Sequence, residues 1–408
     1  MLSDIDSLMQ SRAVDALVIS GSPKECKDLR YFTGPVAVAG AMVLKKRGSK
    51  PILLCSSLER DEAAKSGLDI FTYSQLGYGE VLKGAKTLFE ASLAFMKKVL
   101  QAFEISGRVA FYGKGDIPYN YALLTELAKS GQIEVFAETE NSIISEARMT
   151  KDESEIEKIA AVGEKAQEIM KSVVRFLKRQ RAKDGKLVHK NGTPVKIGEV
   201  KSLIDSEARK LSVFIDQPLI FSQGKDSAVP HSRGDESADL LLGKTIVFDF
   251  CPYDPCGYYF DITRTFCLGY VPENVQKIYN DVLAIQKKIL KRLKVGVPGS
   301  DFDDEVNEFF EKRGYPTIRQ DTNTTRGYVH GLGHGIGLEI HERPRLSFAA
   351  KKKDMLSPGH VFTIEPGLYF PDEEMGVRIE DVVAFKTDGT VVNLSPFPKK
   401  LLIPVKEL

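Results

Sequence analysis

The chain has 408 residues, 42% hydrophobic and 28% charged, and 57 basic against 56 acidic side chains leave a formal net charge of +1. That length suits two domains better than one core, and the balanced charge gives no bulk attraction to nucleic acid or a membrane surface. No apolar run reaches the roughly 18–20 residues of a spanning helix. The acidic start Met1–Asp6 has no signal-peptide core. Five scattered cysteines, Cys26, Cys55, Cys251, Cys256 and Cys267, point to a reducing cytoplasm and not to a disulfide scaffold.

In chain order, Asp15–Ser20 is an apolar run stopped by Gly21-Ser22-Pro23, a strand and its turn. Val36–Leu44 and Pro51–Cys55 are expected as two further strands joined by a hairpin-like basic connection. A helix is expected over Glu80–Phe103 and a strand over Arg108–Tyr112. A domain boundary is placed near 145–152. Thr150 and Glu153 there have the spacing of a capping box, followed by a helix with apolar residues from Ile156 to Leu177 at a 3.6-residue period. The basic stretch 178–196 reads as a solvated insertion loop. It lacks the interleaved aromatic residues of a nucleic-acid patch. Thr245–Phe250 and Tyr258–Leu268 are expected to form a hairpin around a Pro- and Gly-rich connection. Asn274–Leu293 and Phe302–Arg313 are expected helices, and His360–Tyr369, Val377–Phe385 and Val391–Leu394 expected strands. Asp388-Gly389 is a hairpin turn between the last two.

Chemistry concentrates between His330 and Glu380. Asp249, Glu365 and Glu380 sit in apolar runs, and buried carboxylates are costly without a cation. Salt bridges to Arg264, Arg343 or Arg378 are one way to meet that cost, and a metal pair is another. Asp249 and Asp261 with further carboxylates and one imidazole of the His330–Glu380 stretch would make an oxygen-rich set suited to two divalent first-row metals. Along one strand Arg378 and Glu380 would share a face. The alternating glycines Gly331, Gly333, Gly335 and Gly337 allow close backbone packing without the Lys-Ser/Thr of a phosphate loop. Neither the Cys251/Cys256 pair, without a second pair, nor His189 and His360 are assigned to the site.

Five ordered motifs carry a resemblance over nearly the whole chain. They are Asp261-Ile262-Thr263-Arg264-Thr265, Gly333-His334-Gly335-Ile336-Gly337, Gly337-Leu338-Glu339-Ile340-His341-Glu342-Arg343-Pro344, Glu365-Pro366-Gly367 and Gly376-Val377-Arg378-Ile379-Glu380-Asp381. They resemble D-x-T-R-T, G-H-G-I-G, G-L-E-x-H-E-x-P, E-P-G and G-x-R-x-E-D of the metallopeptidases that include Xaa-Pro dipeptidase (prolidase), aminopeptidase P and methionine aminopeptidase. Pro230-His231 resembles the same family's proline–histidine site. Leu29–Gly34 and the Arg148/Lys151/Glu153 run resemble parts of the creatinase/prolidase N-terminal domain, which methionine aminopeptidases lack. The resemblance implies a mixed α/β (α+β) chain, with that N-terminal α/β domain over 1–147 and a pita-bread catalytic domain over 148–408.

It also implies roles. His334 and Glu365 would bind one metal and Asp249 the other, with Asp261 and Glu380 bridging. A hydroxide held between the metals would attack the scissile carbonyl while Glu365 shuttles a proton. His231 and His341 would orient substrate and stabilise the oxyanion, and His330 and Arg378 would help hold the proline side. Manganese or cobalt comes first, with zinc or iron also compatible. The expected activity is that of an Xaa-Pro dipeptidase acting on a peptide with proline after the scissile bond. Aminopeptidase P on longer peptides, an amidinohydrolase of the creatinase kind and a non-catalytic binding module are the alternatives. A cytoplasmic homodimer that binds neither nucleic acid nor membrane is expected. Three features depart from the family pattern. The Asp249–Asp261 connection is one residue longer, Cys251 and Phe260 replace a glycine and a serine, and the 180–196 stretch is inserted. Cys251 would either soften the metal environment or fill core.

Overall fold

A computed structural model describes residues 1–350 and 354–408. The chain divides into two compact units, Met1–Arg148 and Met149–Leu408. Among the described residues no helix is long and apolar enough to cross a membrane.

The first unit is built on a six-stranded mixed sheet. Its spatial order is Asp69–Thr72, Ile52–Cys55, Ala41–Lys46, Ala16–Gly21, Gly107–Gly113 and Ile133–Phe136. Ala16–Gly21 pairs antiparallel with Ala41–Lys46 and parallel with Gly107–Gly113. Val18, Leu44 and Val109 on the sheet bury against Phe95, Val99, Leu100 and Leu127 of two helices, Leu88–Ala102 and Ile117–Lys129. The helix expected over Glu80–Phe103 is two helices, Tyr78–Gly84 and Leu88–Ala102. Thr87 interrupts it because its extended backbone and side chain cap the second helix through the Glu90 N–H. The strand expected from Val36 begins only at Ala41, where pairing with Ile52–Cys55 starts.

In the second unit the long helix Glu153–Arg179 is capped by Asp152, not Thr150. Asp152 and Glu155 form the reciprocal box, while Thr150 bridges His360. The stretch read as a loop at 178–196 contains a hairpin, Arg181–Lys183 with Lys186–Val188, turned at Asp184-Gly185 where both residues have positive φ. Its first strand, Arg181–Lys183, also pairs parallel with Lys406–Glu407, and Ala182, Leu187 and Val188 are buried. Buried apolar contacts and strand pairing thus override the charge of this segment.

Two sheets carry the site. One runs Leu402–Ile403, Ile262–Leu268, Thr245–Phe250, Ile220–Gln223. The other runs Glu342–Leu346, Gly333–Gly335, Val361–Ile364, Asp381–Phe385, Val391–Asn393. A two-stranded ribbon, Gly367–Phe370 with Met375–Arg378, accompanies them. Helices Glu273–Arg292 and Gly299–Glu311 bury Val282, Ile285, Ile289, Val306 and Phe310 in one cluster with Phe362, Ile364, Leu368 and Val377 of the strands. Three expected strands are shorter or broken. The hairpin's second strand starts at Ile262, His360–Tyr369 breaks at Glu365-Pro366, and Val377–Phe385 breaks at Ile379-Glu380. Arg378 and Glu380 therefore do not share one continuous strand. Pro366 has no N–H for a ladder, and the Glu380 N–H bonds to the Thr263 carbonyl on the other sheet. Phe260 presses against Gly163 in the long helix, where a Cβ would come within 2.4 Å of its ring.

Candidate metal centre and substrate cavity

The strand pair Thr245–Phe250 and Ile262–Leu268 has Asp249 opposite Thr263 and Phe250 opposite Ile262. Asp249 lies near the end of one strand, and Asp261 immediately precedes the other. Asp249, Cys251 and Asp261 each offer one ligand atom, and these atoms lie within 4.8 Å of one another. Asp261, His334 and Glu380 form a second such set. Asp261 belongs to both. Glu365 Oε1 is 3.4 Å from His334 Nε2.

His334 sits in the short strand Gly333–Gly335, which closes tightly on its neighbours. A Cβ on Gly333 would lie 2.0 Å from the Thr363 carbonyl oxygen, and one on Gly335 2.1 Å from that of Arg343. The His334 N–H donates to Thr363 Oγ1, and Nδ1 lies 3.1 Å from the Gly335 carbonyl, so Nε2 is the nitrogen facing the carboxylates. Burial, reinforced by the nearby His341, lowers the His334 pKa to about 3. The ring is neutral and its Nε2 lone pair is available to a cation.

The acids show the opposite strain. Burial first, then the Glu380 and Asp249 charges, hold Asp261 well above the carboxylate range. Burial and then Glu380 do the same to Glu365. Glu380 is pushed up to about 8 by burial and then Asp249. Glu380 is 1% exposed, yet its Oε1 has no hydrogen-bond partner among the described residues. Like charges crowded out of water are unfavourable unless a cation joins them. Hard oxygens, one imidazole and an unpartnered buried carboxylate oxygen therefore fit divalent metals.

Of the three arginines considered as ordinary ion-pair partners, Arg378 alone among the described residues reaches a side chain of these acids. Its Nη2 donates to Asp249 Oδ2 at 2.6 Å, Nη1 to the Tyr369 hydroxyl at 2.7 Å and the Pro230 carbonyl at 3.2 Å, and Nε to Thr263 Oγ1 at 3.2 Å. Arg343 pairs with Asp354. Arg264 pairs with Asp381 at 2.9 Å and donates to the Glu380 carbonyl.

Supporting residues absent from the expected site follow the strand alternation of D-x-T-R-T. Thr263 Oγ1 donates to Glu380 Oε2 at 2.7 Å. Thr265 Oγ1 donates to the Arg378 carbonyl and accepts from its N–H. The period-2 spacing of Asp261, Thr263 and Thr265 carries that signal.

A cavity of about 940 Å³ opens over the acids. His231, His330, His341 and Arg378 line it, as do Arg233 and Arg345, two residues the sequence did not single out. His330 Nε2 lies 3.0 Å from the Tyr369 hydroxyl, and burial followed by the Arg378 charge lowers its pKa to about 4. The His341 ring stacks edge-on to His334 at 4.4 Å. Burial, then His231, lowers its pKa too. Outside the site, half-buried His189 faces Glu199 and buried His360 accepts from the Ser357 N–H.

Residues 157–387 match the model of Metallopeptidase family M24. An uncharacterized peptidase of Methanocaldococcus jannaschii is 36% identical over 251 residues, 60% of this chain and 63% of that one. The Xaa-Pro dipeptidase of Pyrococcus horikoshii is 28% identical over 393 residues, 95% of this chain and 94% of that one. The solved Xaa-Pro dipeptidase of Bacillus anthracis superposes with a TM-score of 0.77 at 23% identity, covering 98% of this chain and 99% of that one. The chain belongs to metallopeptidase family M24. It is a peptidase, with the family's pita-bread domain preceded by an N-terminal domain.

Proposed function

We propose that the chain is an Xaa-Pro dipeptidase working with two divalent metals. Asp249, Asp261, His334, Glu365 and Glu380 would hold the pair. When bound, the metals supply Lewis acidity that lowers the pKa of a water and polarises the scissile carbonyl. Glu365, whose raised pKa makes its carboxylate a stronger base once a cation holds the cluster ionised, would take the proton of the attacking water and return it to the departing proline nitrogen. His341, held neutral by burial, and His231 direct N–H donors at the oxygen that gains charge. Arg378 holds Asp249 in place, and through Tyr369 it positions His330 at the cavity wall.

The preference for a dipeptide rests on Arg345. It lies directly across the strand pair from His334, so its side chain leaves the sheet on the same face. It is exposed to the cavity and its guanidinium has no acidic partner among the described residues. A cation on the cavity wall across from His334 suits the free carboxylate of a proline that ends the substrate. The exposed Arg233 adds charge of the same sign. The full-length kinship to an Xaa-Pro dipeptidase agrees with this.

The test is hydrolysis of Xaa-Pro dipeptides beside Xaa-Pro-Yaa tripeptides with manganese or cobalt added and a chelator control. Chelator-sensitive cleavage of dipeptides alone is expected. In Arg345→Ala the dipeptide KM should rise by about 10–100-fold, the worth of one charged hydrogen bond. Cleavage of the tripeptide before proline would assign aminopeptidase P activity instead. No cleavage of either by a protein holding two metals would leave another amide substrate or a binding role.

A further inference from the structure

The fold turns Cys251 toward the acids. Asp249 and Cys251 are two apart, so both project on one side of the chain. The register that pairs Asp249 with Thr263 and Phe250 with Ile262 continues to set Cys251 opposite Asp261. Its Sγ is accordingly 3.0 Å from Asp261 Oδ1 and 3.4 Å from Asp249 Oδ1. Asp249 Oδ2 is already occupied by Arg378, so the oxygen it has left for a cation is the one beside the sulfur. Independently, Glu380, whose buried Oε1 is unpartnered, belongs to the donor set that shares Asp261. Cys256 belongs to neither donor set among the described residues.

We propose that Cys251 Sγ is a ligand of the divalent cation held by Asp249 and Asp261, making this half of the centre a mixed sulfur–carboxylate site. The inference rests on the metal-centre reading above. The thiol yields its proton to solvent as the sulfur–metal bond forms, and no electron changes hands. A sulfur donor shifts preference from manganese toward the softer zinc and cobalt.

Full-length protein stripped with chelator and refilled with Co²⁺ should show near-ultraviolet sulfur-to-cobalt charge-transfer absorption. Cys251→Gly, which removes the side chain, should bind Co²⁺ and lose that band. Cys251→Ser should lose it as well, and Cys256→Ser should keep it. Competition between Zn²⁺ and Mn²⁺ should show the zinc preference falling on the order of 10–100-fold in Cys251→Gly, since disturbing even an outer partner of a metal ligand costs that much. Wild-type protein that binds Co²⁺ without the band, or Cys251→Ser that retains it, would overturn sulfur ligation and leave the carboxylate centre standing. Wild-type protein that binds no Co²⁺ would overturn both.

Discussion

Glu380→Gln separates a carboxylate cluster that needs cations from one that is merely buried. In the metal-free protein Glu380 titrates at about 8 against an ordinary 4.5, because burial disfavours its charge and the Asp249 carboxylate repels it. Between those values the folded state holds more protons than the unfolded chain. Stability therefore falls as pH rises through the window, by ~1.4 kcal/mol per pH unit while the difference is one full proton. From pH 6.5 to 8.5 the loss from this group is about 2 kcal/mol, because titration is nearly complete at the upper end. His334 has the opposite sign. Its folded value near 3 lies below 6.5, so its contribution is present above 6.5 and is lost only as pH falls below it. A comparison above pH 6.5 thus isolates the acids. Urea unfolding of chelator-treated wild type and Glu380→Gln at the two pH values should show the variant losing at least about 2 kcal/mol less, since removing the Glu380 charge also lowers the pKa of Asp261 and Glu365. Saturating Mn²⁺ should reverse the wild-type slope, because the cation displaces protons from the carboxylates and gains affinity as they leave. Equal slopes for the two proteins without metal would refute the reasoning.

Asp261→Ala removes the side chain common to both donor sets, so both metals and all peptide hydrolysis should go. Elemental analysis after dialysis checks this, and a variant with two metals and full turnover would contradict the shared role. His341→Ala should keep its metals and lose about 10²–10³ in turnover, the worth of one oxyanion donor. A metal-free His341→Ala protein would instead move the residue in among the ligands. Gly333→Ala would place a methyl 2.0 Å from the Thr363 carbonyl. Thermal melts should show a loss of ~3 kcal/mol or more, with metal content falling because His334 is the next residue. Wild-type melting and metal content would mean the strands part freely there.

The site residues were legible because their motifs are local. The spacing of Gly333, His334 and Gly335, or of Asp261 and Thr263, is set by a strand that needs no distant partner to be recognised. What sequence reading lost is pairing over distance. The hairpin at Arg181–Val188 has a visible Asp-Gly turn, yet its charges read as loop because its third strand, Lys406–Glu407, lies at the far end of the chain. Two apolar runs read as unbroken strands because the hydrogen bonds that break them come from elsewhere, the Leu332 carbonyl for Glu365 N–H and the Thr263 carbonyl for Glu380 N–H. Those breaks matter, since each places a carboxylate where the sheet pairing stops.

Arg264 shows why a one-residue difference decides the chemistry. Read from sequence, it is a natural counter-ion for Glu380, and such a pair would leave the site with one acid fewer. In the fold it is 1% exposed and pairs with Asp381, donating also to the Glu380, Thr263, Ser395 and Phe397 carbonyls. Asp381 in turn takes Lys399 at 2.5 Å and Asn393 at 2.7 Å. The arginine of D-x-T-R-T and the final acid of R-x-E-D are thus two halves of one buried knot that joins the two sheets. That knot fixes the backbone of Glu380 while leaving its Oε1 unpartnered. A guanidinium whose Nη1 and Nη2 are both engaged elsewhere, beside an unsatisfied carboxylate, is unfavourable in an apolar interior. It becomes favourable when the second positive charge is a metal, which can join several of the crowded acids at once.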